Sequence, residues 1–267
     1  MSKHEQEQEP LNRQPETAGD VQKVVKQAAE DVEQSKVSSP RARRRTYILI
    51  AAYLIVFALF ALLAWSVHVY PVLKVDIKIT REFQEHQPLW LNVLMFGVSY
   101  LGNNIPVFSV LILLTAVVFW LVRLRLEALF ILGLSIVNLP VNIILKTVIN
   151  RPRPTTRLVD VLQNASGNSF PSGHVMSYVA YWGLLFSLCL ILFKRDRWWH
   201  YVLLIVSGFF VIMVGPSRVY LGDHWATDVL GGYMFGGLLL GLTLWLYLML
   251  KGHQAQRKVN NSFSQQS

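Results

Sequence analysis

Three short clusters of charged and hydroxyl residues interrupt a chain that is otherwise apolar enough for a lipid bilayer. In chain order they are Lys146 with Arg153-Pro154, then Pro171-Ser172-Gly173-His174, then Ser217-Arg218 with His224 and Asp228. Ionised groups beside a bilayer are costly unless they are paired or functional, so such clusters indicate a site. Cations, a hydroxyl, two histidines and a carboxylate are what oxyanion binding and phosphoryl transfer to an imidazole require.

The first cluster continues a polar face of a predicted helix. Asn138, Asn142 and Lys146 are four residues apart and therefore share that face. The two asparagines fit either a stripe leading to a site or hydrogen bonds between helices. Arg153 lies two helical turns after Lys146 and precedes Pro154, so we expect the helix to end nearby and Arg153 to reach back. Either cation alone would be typical of a headgroup anchor.

The second cluster is expected to begin a membrane span. Free backbone N–H groups and the positive end of the helix dipole favour an anion at such a position. Gly173 allows close approach of the backbone to an oxyanion, and Ser172 adds a hydroxyl donor. A serine cap followed by an interfacial histidine, His174, is the simpler structural alternative.

The third cluster contains a histidine and a carboxylate that we expect to interact. His224 and Asp228 are four residues apart, which on a helix places their Cβ atoms about 5 to 6 Å apart. If Asp228 accepts the Nδ1 proton, Nε2 of His224 carries the lone pair of a nucleophile. Arg218 adds a cation six residues before His224, and Asp223 is interpreted as the N-cap of the last helix.

The composition places the chain among membrane proteins. Of 267 residues, 53% are hydrophobic and 15% charged, with a mean hydropathy of +0.37, which is too apolar for an ordinary soluble domain. The net charge of +9 is better explained by membrane orientation and anionic headgroups than by nucleic acid, which we exclude as a partner. The single Cys189 permits no intramolecular disulfide and does not indicate a redox compartment.

Windows of about 20 residues predict an all-α protein with six membrane spans. The spans lie near residues 46–69, 105–122, 127–149, 174–193, 200–218 and 226–250. A shorter apolar run from Trp90 to Leu101, between the first and second spans, predicts an interfacial helix. Basic groups at alternate span ends predict that both termini are cytoplasmic, which puts the three clusters together on the extracytoplasmic face of the cell membrane.

Three regions follow from this pattern. Residues 1–45 contain half of the acidic residues and few large apolar ones, so they are predicted to be a disordered cytoplasmic tail that leads into an uncleaved signal anchor. Residues 46–250 form the six-span domain, and residues 251–267 form a short cytoplasmic tail. The oligomeric state is not predicted by these patterns.

Together, the three clusters resemble the signature of the type 2 phosphatidic acid phosphatase family, which also includes the vanadium haloperoxidases. The matching positions are Lys146-x6-Arg153-Pro154, Pro171-Ser172-Gly173-His174 and Ser217-Arg218-x5-His224-x3-Asp228. The resemblance covers residues 46–250, and within the family it is most similar to bacterial phosphatidylglycerophosphatase B-like and undecaprenyl diphosphate phosphatase-like enzymes.

The resemblance implies a catalytic set and a phosphate-binding set. His224 would attack phosphorus to give a phosphohistidine, Asp228 would orient it, and His174 would protonate the leaving oxygen. Phosphate oxygens would be held by Lys146, Arg153, Ser172, Gly173 and Arg218. No metal or cofactor is implied, and the carboxylates of the outer loops look too scattered to bind one.

The substrate class and two alternatives stay open at this point. Undecaprenyl diphosphate, phosphatidylglycerophosphate and phosphatidic acid all fit motifs that bind only the phosphate. A vanadium haloperoxidase would share the pocket but is a soluble protein, which six spans disfavour. A non-catalytic lipid-binding or transport protein would explain the spans and cations but has no need of His224, Asp228 and His174 together.

Overall fold

The computed structural model of the protein describes residues 40–163, 165–193 and 198–264. Within these ranges the structure is helical and contains no strand. Its helices are α1 (Pro40–Val69), α2 (Lys74–Gln84), α3 (Leu89–Asn103), α4 (Ile105–Leu121), α5 (Arg125–Ile149), α6 (Gly173–Tyr178), α7 (Leu184–Leu192), α8 (Trp198–Tyr220) and α9 (Ala226–Ser264). A π-helical turn, Val179–Gly183, joins α6 to α7.

Five of the described helical segments are long and apolar enough to cross a membrane, which makes the chain a multi-pass membrane protein. They are Arg43–Val69, Arg125–Ile149, Gly173–Leu192, Trp198–Tyr220 and Ala226–Gln254. Each has at least the length of about 20 residues that a bilayer requires. These segments agree with five of the six predicted spans.

The remaining predicted span belongs to a bent pair of helices. Helix α4 follows α3 directly, and their axes differ in direction by 73° at Asn104. The Asn104 side chain accepts a hydrogen bond from the amide of Val107 at 3.3 Å, and Pro106 lies in the first turn of α4. A capping side chain and an early proline both favour a new helix start, which explains the bend. The count is therefore five spans, or six if the bent pair crosses the membrane as one.

The segment Gly173–Leu192 is the most deeply buried of the candidate spans. Helix α9 approaches it through small residues, since a Cβ at Gly232 would lie 2.9 Å from both the carbonyl oxygen of Ser172 and the Cβ of Val175. Such contact lets the two backbones pack closely. The start of α6 is thereby fixed against the first turns of α9, where Asp228 lies.

The connections between helices gather at one end of α5, α6, α8 and α9. The loop of residues 150–172 is tied to the α8–α9 turn by the amide of Leu162, which donates to the carbonyl oxygen of Leu221 at 3.0 Å. Within the same loop the amide of Ser169 donates to the carbonyl oxygen of Arg151 at 2.8 Å. These bonds bring the three polar clusters of the sequence to a common place.

The domain limits stay predictions. The chain divides into two compact units, residues 1–52 and 53–267, so that α1 begins in the first unit and continues into the second. Residues 1–39 of the predicted tail, which spans residues 1–45, lie outside the described residues. Its last part is helical, because α1 begins at Pro40. At the other end, α9 continues through Ser264, into the predicted second tail.

Candidate active site

His224 lies in the turn between α8 and α9 and is 1% exposed. Its Nδ1 is 3.5 Å from Oδ2 of Asp228, which is in the first turn of α9. The hydroxyl of Ser169 lies 3.3 Å from the same ring nitrogen and donates to the same carboxylate oxygen. The backbone amide of Trp225 also donates to that oxygen, at 2.8 Å. One face of the imidazole is therefore fixed by Asp228 and Ser169, and Nε2 points elsewhere.

Asp228 is also bound by an arginine that the sequence pattern did not single out. Arg151 Nη1 donates to Oδ1 of Asp228 at 2.5 Å, and its Nη2 donates to Asp76 at 2.6 Å. Asp76 in α2 accepts from the amide of Thr227 at 2.9 Å and from its hydroxyl at 2.7 Å. Arg151 and the two carboxylates are fully buried, so the guanidinium group compensates part of the negative charge of the two carboxylates.

The three predicted phosphate-binding cations lie on the side of the His224–Asp228 pair that the Nε2 atom of His224 faces. Arg153 Nη1 is 3.4 Å from Nε2 of His224. Arg218, fully buried near the end of α8, donates to the hydroxyl of Ser99 and is 3.4 Å from Oδ1 of Asn103. Lys146 donates to the carbonyl oxygen of Asn168 at 2.5 Å. Two guanidinium groups therefore lie beside His224, and the ammonium group is held by the neighbouring loop.

Asp223 joins the two arginines. Its Oδ1 accepts from Arg153 at 2.8 Å, and its Oδ2 accepts from Nη2 of Arg218. Oδ2 also lies 3.7 Å from Nε2 of His224. The prediction that Asp223 caps the last helix is wrong, because α9 begins at Ala226 and both carboxylate oxygens are bound to arginine.

His174 lies opposite His224, with ring centroids 6.5 Å apart. Its Nε2 is 2.8 Å from Oδ1 of Asn103, at the end of α3. Helix α3 approaches closely here, because a Cβ at Gly102 would collide with the His174 ring. Asn103 thus contacts both His174 and Arg218, a role that the sequence did not indicate.

The second cluster forms a capped helix start, as its structural alternative expected. The Ser172 hydroxyl accepts from the amide of Val175 at 3.5 Å, while the amide of Ser172 donates to the carbonyl oxygen of Asp228 at 3.0 Å. Gly173 packs against Asn142, whose Oδ1 would be 2.7 Å from an added Cβ. Ser172 is fully buried and Gly173 partly exposed.

The two asparagines of α5 make contacts between helices. Asn138 donates to the hydroxyl of Ser177 at 3.0 Å. Asn142 donates to Sδ of Met176 in α6 at 3.1 Å and to the carbonyl oxygen of Pro171, just before α6, at 3.3 Å. Of the two interpretations that the sequence left open, these bonds favour interhelical hydrogen bonding.

The electrostatic environment keeps His224 neutral. Burial lowers the pKa of His224 well below its usual range, and the positive charges of Arg153, Lys146 and Arg218 lower it further. Burial also lowers the pKa of Arg153, which the charge of Asp228 partly offsets. A neutral imidazole with an unprotonated nitrogen toward the cations is the form that can act as a nucleophile.

Three candidate metal ligands do come together, although the sequence suggested only scattered ones. Nitrogens of His174 and His224 and an oxygen of Asp223 all lie within 4.8 Å of one another. However, Asp223 already accepts from two arginines, and the surrounding cations repel a divalent ion. The donor set by itself fits a metal, whereas its charge environment fits an anion better.

Besides Asn103, three residues of the site had little or no signal in the sequence. Arg151 stood in the sequence only as part of a repeated Arg-Pro pair, Asp76 as an isolated loop carboxylate, and Ser169 as an ordinary loop serine. Each acquires its role from a partner at least 55 positions away along the chain, a separation that local spacing cannot reveal.

Comparisons with known proteins identify the family of this chain. Residues 126–251 match the family model of the PAP2 superfamily. Phosphatidylglycerophosphatase B of Bacillus subtilis (strain 168) is 31% identical over 190 residues, which cover 70% of this chain and 90% of that protein. YbjG of Escherichia coli (strain K12), which carries the name of an undecaprenyl-diphosphatase, is 29% identical over 155 residues, covering 55% of this chain and 72% of YbjG.

A solved structure supports the same assignment. The crystal structure of a transmembrane PAP2-type phosphatidylglycerolphosphate phosphatase from Bacillus subtilis is similar with a TM-score of 0.61 and 30% sequence identity. The match covers 73% of this chain and 94% of that one. Given the family-model match and the identity to these relatives, this chain belongs to the PAP2 superfamily, among its membrane lipid phosphatases.

Proposed function

We propose that the protein hydrolyses the phosphate monoester or diphosphate of a membrane lipid through a phosphohistidine on His224. The observation that carries the proposal is the direction of the imidazole. Its Nδ1 is held by Asp228 and Ser169, whereas Nε2 lies 3.4 Å from Arg153. The nucleophilic nitrogen thus faces the group that would bind the phosphate oxygens.

In the first step Nε2 of His224 attacks phosphorus while the bond from phosphorus to the leaving oxygen breaks. His174, on the other side of the site, donates a proton to that oxygen. In the second step water attacks the phosphohistidine, His174 accepts the proton from water, and the P–N bond breaks to release inorganic phosphate. The same residue is acid and then base, which returns it to its starting state.

The cations would stabilise the charge that shifts onto the phosphoryl oxygens. Arg153 and Arg218 have guanidinium groups suited to bidentate contacts with oxyanions, and Lys146 adds a point charge. Ser172 and the amide of Gly173 complete the proposed set at the start of α6. Because these groups supply the neutralisation, we propose that the reaction is independent of metal ions.

We further propose six spans, with α4 as the second crossing and α3 as a helix at the membrane interface. This count places Arg123, the end of α9 and the start of α1 on one side, which the positive-inside rule makes cytoplasmic. Both termini are then inside, and the site opens to the extracytoplasmic face. Accessibility of single cysteines at positions 85 and 123, in a Cys189→Ser background, tests the sidedness.

Substrate specificity would depend on which lipid group the protein accommodates beside the bound phosphate. The names of the relatives point to phosphatidylglycerophosphate and undecaprenyl diphosphate, and phosphatidic acid shares the same phosphomonoester. The full-length protein, purified in detergent, should release phosphate from at least one of the three with EDTA present and should be inhibited by vanadate. No release from any of them, or release lost on chelation and restored by a metal, would overturn the corresponding part of the proposal.

A further inference from the structure

Asp223 occupies a position for which the proposed reaction has no use. It is a carboxylate, 2% exposed, among the residues proposed to bind a dianionic phosphate. Both of its oxygens accept from arginines of that set, Arg153 and Arg218. An anion placed there repels the substrate rather than attracting it.

The geometry of Asp223 resembles that of a bound phosphoryl group. Two oxygens separated by one atom bridge two guanidinium groups, and one of them lies 3.7 Å from Nε2 of His224. Carboxylate and phosphoryl oxygens accept the same charged N–H donors in the same fork-like arrangement. The donors that Asp223 uses are therefore those that phosphate needs.

The charge balance leads to the same conclusion. Arg151 is bound to Asp76 and Asp228, which together carry one negative charge more than it does, so the cations left for phosphate are Lys146, Arg153 and Arg218. Asp223 compensates one of these three charges. It lowers the cost of holding two arginines close together while no phosphate is bound.

We propose that Asp223 is an internal competitor of the phosphate group, which it resembles, and thereby sets the affinity of the site for phosphate. The carboxylate holds Arg153 and Arg218 in the free enzyme and yields their N–H groups when phosphate binds. This inference rests on the proposed phosphatase site. It concerns affinity only, because Asp223 takes no part in bond making or breaking.

A purely positioning role for Asp223 makes the opposite prediction. If the carboxylate served only to orient the two arginines, its removal would weaken phosphate binding. Both arginines have other anchors, however. Arg153 also donates to the carbonyl oxygen of Asp223 at 2.8 Å, and Arg218 donates to Ser99. Substitution of the side chain therefore leaves the two cations in place and removes the competing charge.

The test compares inhibition of the wild-type protein and Asp223→Asn by orthophosphate and vanadate, in detergent and at constant ionic strength. Glu85→Gln is the matched control, since it removes one negative charge from an exposed side chain in the α2–α3 connection. We expect Asp223→Asn to lower both inhibition constants about tenfold, the size expected for removing one like charge next to the anion. Glu85→Gln should leave them unchanged.

Inhibition constants that are unchanged or higher in Asp223→Asn would overturn the proposal. If that variant does not elute as a single species, Asp223→Ser is measured instead with the same expectation. Absence of lipid phosphatase activity in the wild type would instead refute the proposed function. An active, vanadate-sensitive wild type whose Asp223 variants bind phosphate no better refutes this inference alone.

Discussion

Arg151 donates to Asp228 at 2.5 Å, and both side chains are fully buried. The bond joins the loop after α5 to the first turn of α9, and Asp76 extends it to α2. The carboxylate that faces the His224 imidazole is thus bound on its other oxygen by the guanidinium group of Arg151. We therefore expect Arg151 to be a positioning residue for the proposed catalytic pair, His224 and Asp228.

Replacement of Arg151 by lysine should lower kcat about 10- to 100-fold, because a single ammonium group cannot reach both carboxylates with the same geometry. Breaking a buried ion pair also costs about 3 to 5 kcal/mol, so the thermal unfolding midpoint in detergent should fall. The inhibition constant for vanadate should change much less than kcat, because Arg151 does not face the anion. Arg157→Lys, on the exposed part of the same loop, is the control, and an equal loss in that variant would contradict the assignment.

Substitution of His224 by alanine should abolish turnover, with a loss of at least about a thousandfold, since the covalent step has no other nucleophile. The variant should still insert into membranes and elute as a single species. Brief incubation of the wild type with lipid labelled in its phosphate should leave acid-labile, alkali-stable label on the protein, and the alanine variant should carry none. Activity near wild type in the variant would exclude the mechanism.

His174→Ala should slow the reaction about 10²- to 10⁴-fold, the usual contribution of a general acid–base group. The loss should depend on the leaving group, because a good leaving group departs without a proton. The rate of the first step should therefore fall less for an aryl phosphate than for an alkyl phosphate. If His174→Ala lost activity equally on the aryl and the alkyl phosphate, and neither substrate left label on His224, then His174 would not act on the leaving oxygen.

The lowered pKa of His224 predicts the acid side of the pH profile. A buried imidazole surrounded by cations stays neutral as the pH falls below the usual range, so loss of the nucleophile should begin below about pH 6.5, the ordinary value for histidine. The measurement is kcat/KM against pH, with the titration of the substrate phosphate followed by ³¹P NMR and divided out. The prediction would be contradicted if kcat/KM already fell with decreasing pH at or above pH 6.5 and the substrate titration did not account for that fall.

The same shift has a consequence for stability. Because the folded pKa is the lower one, the unfolded chain binds a proton that the folded chain does not, once the pH falls below the unfolded value. The His224 contribution to stability is therefore complete above about pH 6.5 and is lost as the pH falls toward the folded pKa. Thermal unfolding of the wild type and His224→Gln should differ in pH dependence only over that range.

Several features of the fold were predictable because they depend on local sequence. An apolar run of about 20 residues satisfies its own backbone hydrogen bonds as a helix in a bilayer, and five of the predicted spans have helices within a few residues of their expected bounds. The bend at Asn104 was not predicted as such. Helix α3, which meets α4 at Asn104, was expected to be an interfacial helix. Hydropathy cannot tell whether α3 and α4 together cross the membrane as one span.

The sequence by itself determined the family, and it predicted the candidate reactive groups, because the three motifs keep their order and spacing whatever surrounds them. Only the tertiary structure decided how these groups are partnered. Arg151 meets Asp228 across 77 positions of the chain, and Arg153 meets Asp223 across 70. Such pairs form because buried charges must find compensation wherever the packed helices bring an opposite charge. That requirement is a property of the folded interior, so no local pattern records which partner is chosen.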